Sequence, residues 1–355
     1  MPLDSTGLNI ARPTILIDGR EDASLAGGLV YLLIAERTDG LYRCEARFGN
    51  WGPKDDATDF LYFDRKTLDF GKEFQVRLGQ DEIFKGKITA LEADFPEGRP
   101  PEITALAEDA LQNLRMTRRT RAFENMSDAD VFRKIAGEHN LTANISLSGA
   151  AHKSLAQVNQ SDLAFMRERA RALDAEIWVN DKELSVKPRA ERGREKVRLQ
   201  YQGNLREFKV VADLANQRTS VLASGWDVAA KKEIKKEATE SVLSGELGED
   251  ASGIGILREK FGVRKELLAH GVPLTGSEAQ AIAESHLKRA ARQFVTARGA
   301  AEPNAKLRVG ALVELDGLGK MFSGKYYVAE IAHIFDSRKG LRTEFRAERT
   351  GIGKT

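Results

Sequence analysis

Val309-Gly310-Ala311-Leu312-Val313-Glu314-Leu315, then Met321-Phe322-Ser323-Gly324-Lys325-Tyr326-Tyr327-Val328, Ile331-Ala332-His333 and Thr343-Glu344-Phe345-Arg346-Ala347-Glu348, form a stretch with a counterpart near the other end of the chain. There Phe70-Gly71-Lys72-Glu73-Phe74-Gln75-Val76-Arg77-Leu78 leads into Ile83-Phe84-Lys85-Gly86-Lys87-Ile88, Leu91-Glu92 and Ile103-Thr104-Ala105-Leu106-Ala107-Glu108. Each version reads as a glycine, an alternating strand, a turn, Phe-x-Gly-Lys, a second strand, and a third strand ending in Ala-Glu. Alternation of apolar and polar residues is the period of a half-buried strand. A β-module present twice, more than 200 residues apart, predicts two related domains in one chain. Such a chain suits a ring of like units better than a single active site.

Outward from the repeat, the first ~115 residues read as β. Thr14 to Ile17 is a short strand ending at Asp18-Gly19, Leu29 to Ala35 is an apolar strand, and Thr38-Asp39-Gly40 turns into the alternating run Leu41 to Phe48. Phe60-Leu61-Tyr62-Phe63 reads as another strand, and Pro96 to Pro101 as a loop. Short strands separated by glycine turns predict a small barrel or sandwich. The pattern then changes. Ser127-Asp128-Ala129-Asp130 opens a helix with Val131 and Ile135 on its apolar face, and Asn140 marks its end. A second helix starts at Ser161-Asp162, with Leu163, Phe165, Met166, Ala170 and Leu173 at helical spacing. Strands Ala175 to Val179 and Glu183 to Val186 flank the turn Asn180-Asp181-Lys182.

From Lys196 strands return: 196–201, 205–212 and 218–226. Residues 231–275 show weak periodicity and read as an irregular excursion. Ser277-Glu278-Ala279-Gln280 looks like a capping box opening a long helix to about Arg298, its apolar face including Phe294 and Val295. The predicted fold is mixed α+β and mainly β. It has a first β-barrel at 1–115, a small α/β domain at 116–192, and a second barrel split between 193–226 and 303–350. An insertion with a loop and a long helix occupies 227–302.

The chain has 355 residues and a formal net charge of +2, which supplies no general attraction to nucleic acid or anionic membrane. No apolar run approaches the ~20 residues of a membrane span, and Met1-Pro2-Leu3-Asp4-Ser5 lacks the basic and apolar regions of a secretory leader. Assembly in the cytoplasm is the expectation. The single cysteine, Cys44, excludes an intrachain disulfide and reads as a small buried side chain.

No residue is singled out as catalytic, cofactor-binding or metal-ligating. The terminal Gly351-Ile352-Gly353-Lys354-Thr355 resembles the end of a phosphate-binding loop, but Glu348 stands where a glycine is needed and no helix follows. His139, His152, His270, His286 and His333 lack metal-type spacing. Asp55-Asp56 and Glu21-Asp22 fall in turns, and no Gly-x-Ser-x-Gly elbow exists. Two basic clusters stand out. Arg115-Met116-Thr117-Arg118-Arg119-Thr120-Arg121 reads as a solvated linker, or else as an interface contact or the charged lining of a channel, and Lys231-Lys232-Glu233-Ile234-Lys235-Lys236 as a solvated helix face.

Three segments carry a family resemblance. They are Phe123-Glu124-Asn125-Met126-Ser127-Asp128 through Ala136 with Leu141, Gln157-Val158-Asn159-Gln160-Ser161-Asp162 through Ala170, and Leu307-Arg308-Val309-Gly310 through Val328 and His333. In this order they resemble the phage late control protein D family of contractile-tail baseplate hubs, which are similar to the hub portion of type VI secretion spike proteins and of extracellular contractile injection systems. The resemblance spans about residues 70 to 349. It implies a non-enzymatic homotrimer without cofactors, whose six related barrels adapt a hexameric inner tube to a trimeric spike among other baseplate proteins. It implies a place in a tail or injection particle. Because the chain stops shortly after the second barrel, the spike is expected to be a separate polypeptide. A different class, a cell-wall carbohydrate-binding or hydrolysing baseplate protein, would require paired acids in a cleft.

Overall fold

The computed structural model describes residues 12–192, 195–227, 230–247, 250–268 and 273–354. The chain is mainly β, about half strand, arranged in several sheets. Twelve strands matter most. The first six are β1 (Thr14–Ile17), β2 (Leu29–Arg37), β3 (Arg43–Gly49), β4 (Glu73–Leu78), β5 (Asp81–Asp94) and β6 (Glu102–Glu108). The second six are β7 (Lys196–Gln200), β8 (Leu205–Ala212), β9 (Val295–Ala301), β10 (Leu312–Asp316), β11 (Gly324–Asp336) and β12 (Gly340–Arg349).

The first six pair in the order β2-β3-β6-β5-β4-β1, and the second six in the corresponding order β8-β9-β12-β11-β10-β7. Register confirms the correspondence. Lys87 faces Glu108, and 240 positions on Tyr327 faces Glu348. Each ladder then slips by one residue, between Ile88 and Ala90 and between Val328 and Glu330. A second matched bulge lies between Leu29 and Tyr31 on β2 and between Leu205 and Glu207 on β8, 176 positions apart. Bulges re-aim a strand, so two bulges at equivalent places mark the same local bend built twice. One difference stands out: β1 joins β4 antiparallel, whereas β7 joins β10 parallel.

This register corrects the sequence-level alignment of the repeat. Since Lys87 is equivalent to Tyr327, Gly86 corresponds to Tyr326 and Phe84 to Gly324. The two Phe-x-Gly-Lys stretches are therefore two residues out of step. Gly86 lies inside β5, where a Cβ would come within 2.3 Å of the Glu108 carbonyl oxygen, whereas Gly324 opens β11 at φ 131°. Two unrelated backbone needs for glycine produced the shared letters.

The two sets form one sheet. β2 pairs antiparallel with the C-terminal half of β11, Arg37 opposite Glu330 through Tyr31 opposite Asp336. With the two-residue strand Arg20–Glu21 the sheet has thirteen strands. The apolar cores follow this continuity. Ile15, Leu32, Ile34, Phe48, Phe74, Val76 and Ile103 pack under the first set together with Phe335 and Leu341 from the second. Leu199, Val295, Leu307, Val313, Leu315, Tyr326 and Val328 pack under the second. Each such side chain, fully buried, is worth about 1.5–3 kcal/mol.

Between the sets lie an antiparallel strand pair (Arg118–Met126 with His152–Ser161), helices α1 (Asp128–Glu138) and α2 (Asp162–Ala172), and a three-stranded sheet of Thr142–Ile145, Glu183–Pro188 and Ala175–Asn180. The expected caps form: Ser127 accepts from the Asp130 amide in a full capping box, and Ser161 from the Ala164 amide.

Several sequence expectations are corrected. Much of the described part of 231–275 is regular structure. Lys232–Thr239 pairs with Ser220–Asp227, which pairs in parallel with Lys265–Leu268, and Gly253–Phe261 is a helix. Within Lys232–Thr239 only Ile234 and Ala238 are buried, too few to show a period of two. The Lys231–Lys236 cluster is thus largely strand, not helix. Helix α3 (Gly276–Arg292) ends earlier than expected and is capped by the Thr275 hydroxyl, not by Ser277. Phe294 and Val295 belong to the second sheet core, because the chain leaves the helix at Gln293 and enters β9. The run expected at Phe60–Phe63 is strand only to Phe60.

Candidate functional site

The residues weighed as chemical candidates are mostly placed in the scaffold. Cys44 is buried in β3, and burial pushes its thiol well up, away from the reactive thiolate. His333 is buried in β11 with Nδ1 3.0 Å from the Thr343 hydroxyl, and burial beside the Arg308 charge lowers it to about 3, so it is neutral. Gly351–Ile352 forms a short strand against Ala251–Ser252. His270, Thr355 and the stretch Met1-Pro2-Leu3-Asp4-Ser5 lie outside the described residues. Among the described residues no group of three or more His, Cys, Asp or Glu is placed to hold a metal, and no helix is long and apolar enough to cross a membrane.

The arginine cluster at 115–121 is consumed by local partners. Arg115 binds Glu108, Arg118 donates to the Asn159 carbonyl, and Arg121 donates to Glu138 and, at 2.9 Å, to Asp162. Asp162 also meets His139 Nε2 at 2.8 Å. Its counterpart at the start of α1, Asp128, receives Arg169 at 2.7 Å and His152 at 2.8 Å. Each helix therefore offers its first-turn acid to the other, since His139 caps α1 and Arg169 lies in α2. Burial raises both carboxyls, but these cations and hydrogen bonds outweigh it and hold them below the ordinary range. The doubled Ser-Asp of the sequence thus fixes two helices to each other.

A denser ionic cluster lies where the middle region meets both strand sets. Glu176 accepts from Arg192 at 2.8 Å, Arg189 at 3.1 Å and the Tyr327 hydroxyl at 2.5 Å. Arg189 also binds Glu348, which accepts from Gln293 at 2.8 Å, and Arg192 donates to the Tyr42 hydroxyl at 2.7 Å. The Arg192 guanidinium lies 4.4 Å from the Trp178 ring centre, and that of Arg189 3.9 Å from the Tyr327 ring. Burial alone would raise the Glu176 carboxyl; Arg192 and Arg189 overcome it and hold it low. Burial likewise drives the Tyr42 and Tyr327 hydroxyls up, so both stay protonated, Tyr327 donating to Glu176 and Tyr42 accepting from Arg192. Charges this buried persist only with full pairing, which makes the cluster a rigid tie among three elements.

A cleft of about 530 Å³ opens beside this tie, lined among others by Arg37, Arg171, Arg289, Asp174, Glu330 and Arg346. Arg289 is held below its usual range by burial and by the neighbouring Arg171 charge. The arrangement can attract anionic groups and can hold elements together. Sequence reading missed Glu176, Arg189 and Arg192 because they lie in unremarkable runs, and only folding brings them to Tyr42 and Tyr327.

Comparison with known proteins gives the fold a context. A family model described as the Alg8 N-terminal domain matches residues 53–336, and the chain belongs to the family that this model defines. No curated protein matches the sequence. Among solved structures, the 43 kDa tail protein of prophage MuSo2 from Shewanella oneidensis aligns with a TM-score of 0.72 at 12% identity, over 96% of this chain and 98% of that one. A tail protein from Neisseria meningitidis aligns with a TM-score of 0.69 at 12% identity, over 96% and 97%. The E. coli c3393 protein, described as a type VI secretion component similar to the T4 bacteriophage tail proteins gp27 and gp5, aligns with a TM-score of 0.61 at 10% identity, over 96% and 79%. The chain has the fold of these tail and hub proteins along almost its whole length.

Proposed function

We propose that this protein is a structural baseplate hub of a contractile phage tail or a related injection system. In this reading it is a homotrimer that adapts a sixfold inner tube to a separate trimeric spike. The observation that carries the reading is the duplicated six-strand unit within one continuous sheet. Two like units per chain and three chains present six like units to the tube and three chains to the spike. The end-to-end likeness to tail proteins supports the same role. The buried ionic tie supports it too, because a hub transmits force and gains from a fixed geometry between its parts.

The domain reading belongs with this proposal. Residues 1–115 form a first barrel-like unit and 116–192 a small α/β unit. Residues 193–226 and 303–350 form a second barrel-like unit, to which Val295–Ala301 is added because β9 lies in its sheet. The remainder of 227–302 is an insertion. Particle assembly begins in the cytoplasm, and the mature location is the baseplate.

Light scattering of the purified chain, alone and with tube and spike proteins, tests the reading. A trimer that joins both partners is expected. A chain that stays monomeric and joins neither overturns it.

A further inference from the structure

The junction between the two units inside one chain is a template for a junction between chains. The chain contains two edges that the template would fill. β2 is paired on both sides, with β3 and with the C-terminal half of β11. Its counterpart β8 forms a ladder only with β9 among the described residues, apart from a single bridge between its first residue, Leu205, and Tyr201. The counterpart of the C-terminal half of β11 is the C-terminal half of β5, Ala90–Asp94. On that stretch β5 pairs only with β6, because β4 reaches no further than Lys87. Each edge therefore lacks the neighbour that its equivalent has.

We infer that β8 of one copy adds to the C-terminal half of β5 of the next copy, antiparallel, repeating the β2–β11 junction between chains. The inference rests on the hub reading only in requiring that copies assemble. Moving the β2–β11 register through the 176- and 240-residue correspondences gives the contact. Asp213 faces Ala90, Ala212 faces Leu91, Val211 faces Glu92, Val210 faces Ala93, and Lys209 faces Asp94.

Side-chain chemistry, which played no part in deriving this register, agrees with it. On one face Ala212 and Val210 meet Leu91 and Ala93. Ala212, Val210 and Phe208 already pack on the second core and Leu91 on the first. The new junction would thus join two cores, as Phe335 and Leu341 join them within the chain. On the other face Lys209 meets the opposite charge of Asp94. One step further, Phe208 meets Phe95, which is 63% exposed, and Val211 is 47% exposed on β8. Exposed apolar residues on an unpaired strand edge are an open template for another strand. Because the two edges differ, the contact is head-to-tail and closes a ring when the rotation allows.

Cysteine cross-linking tests this directly, since the native Cys44 is buried. Ala93→Cys chains are mixed with Val210→Cys chains under mild oxidation, at a concentration where light scattering shows an oligomer. Residues directly opposite on antiparallel strands have Cα atoms about 4.5–5.5 Å apart, within disulfide reach. In a random equal mixture about half of the chains should appear as covalent dimers, since a head-to-tail contact places the two cysteines together one time in about four, and the variant with both cysteines should give higher covalent oligomers. Val211→Cys in place of Val210→Cys should cross-link at least tenfold less, because a one-residue slip puts the side chain on the other face. Lys209→Glu should weaken association a few-fold, and Asp94→Lys should restore it. An oligomer with no cross-link, or with equal cross-linking at 210 and 211, overturns this contact and leaves the hub reading standing. A chain that is monomeric at all concentrations overturns both.

Discussion

The two six-strand units share one strand order and two matched bulges, yet they are filled differently. In the first, Ala46 of β3 faces Ala105 of β6; at the equivalent place in the second, Gly299 of β9 faces Phe345 of β12. A Cβ on Gly299 would lie 2.5 Å from the Phe345 ring, so the large residue on one strand requires none on the other. The connections differ as well. β2 reaches β3 through residues 38–42, whereas β8 reaches β9 through 213–294, which carry α3 and a separate three-stranded sheet. Strand order and bulges are backbone properties and persist. Core volume is shared among neighbours and can be redistributed as long as the total is kept. Loops at a sheet end absorb insertions at small entropic cost.

The largest expected effect comes from the ionic tie linking the units. Glu176→Ala leaves Arg192 buried without a carboxylate partner among the described residues and Arg189 with Glu348, and should cost roughly 3–5 kcal/mol in urea unfolding. Replacing Tyr42 by Phe removes one neutral acceptor of Arg192 and should cost less, about 1.5 kcal/mol. If the two variants unfold alike, the cluster does not join the units as described.

The Gly299–Phe345 pair offers a test by sign. Phe345→Ala should destabilise by about 3–5 kcal/mol through its cavity. Gly299→Ala alone should cost about 1–3 kcal/mol by overpacking. With Phe345→Ala already present, the same glycine change should become neutral or stabilising, which converts the second unit to the Ala–Ala pairing of the first. Additive losses in the double variant would show that the two sites do not share volume.

A pH profile separates the units as well. His333 of the second unit corresponds to Ala93 of the first. Its folded value of about 3 lies below the ordinary value of 6.5, so the unfolded chain takes the proton first. The sign follows: its contribution is fully present above about pH 6.5 and is lost as pH falls towards 3, up to a few kcal/mol. Carboxylates held low, such as Asp128 and Asp162, add losses of the same sign at lower pH. His333→Gln should flatten the stability profile between pH 6 and 4.5, and an unchanged slope would refute its assignment as a buried neutral group. The smallest effect belongs to the middle region, where Ser127→Ala should cost ~1 kcal/mol by removing a cap and leave both sheets intact.

Much of the scaffold was legible before folding. Ser127 and Ser161 cap the helices they were expected to cap, because a cap is a contact across three residues. The duplication was legible from strand periodicity and the shared Ala-Glu ending, although the Phe-x-Gly-Lys likeness lies two residues out of register. The strand Lys232–Thr239 was hidden because it buries one residue in four. The candidate site was hardly legible at all: Glu176, Arg192, Tyr42 and Tyr327 are far apart in the chain and carry no local pattern.

The sequence by itself therefore determined what short-range physics determines: two β-rich ends, two capped helices between them, a long helix near Thr275, and a repeated strand pattern. Only the tertiary structure decided that the two ends share one sheet through β2 and β11, that β9 belongs to the second unit, and that Glu176, Arg189, Arg192 and Glu348 meet Tyr42 and Tyr327 in a buried ionic tie. Caps and alternation are written within a few residues of one another. Edge pairing and charge burial depend on which surfaces meet, and a strand carries the same alternation whichever neighbour it finds.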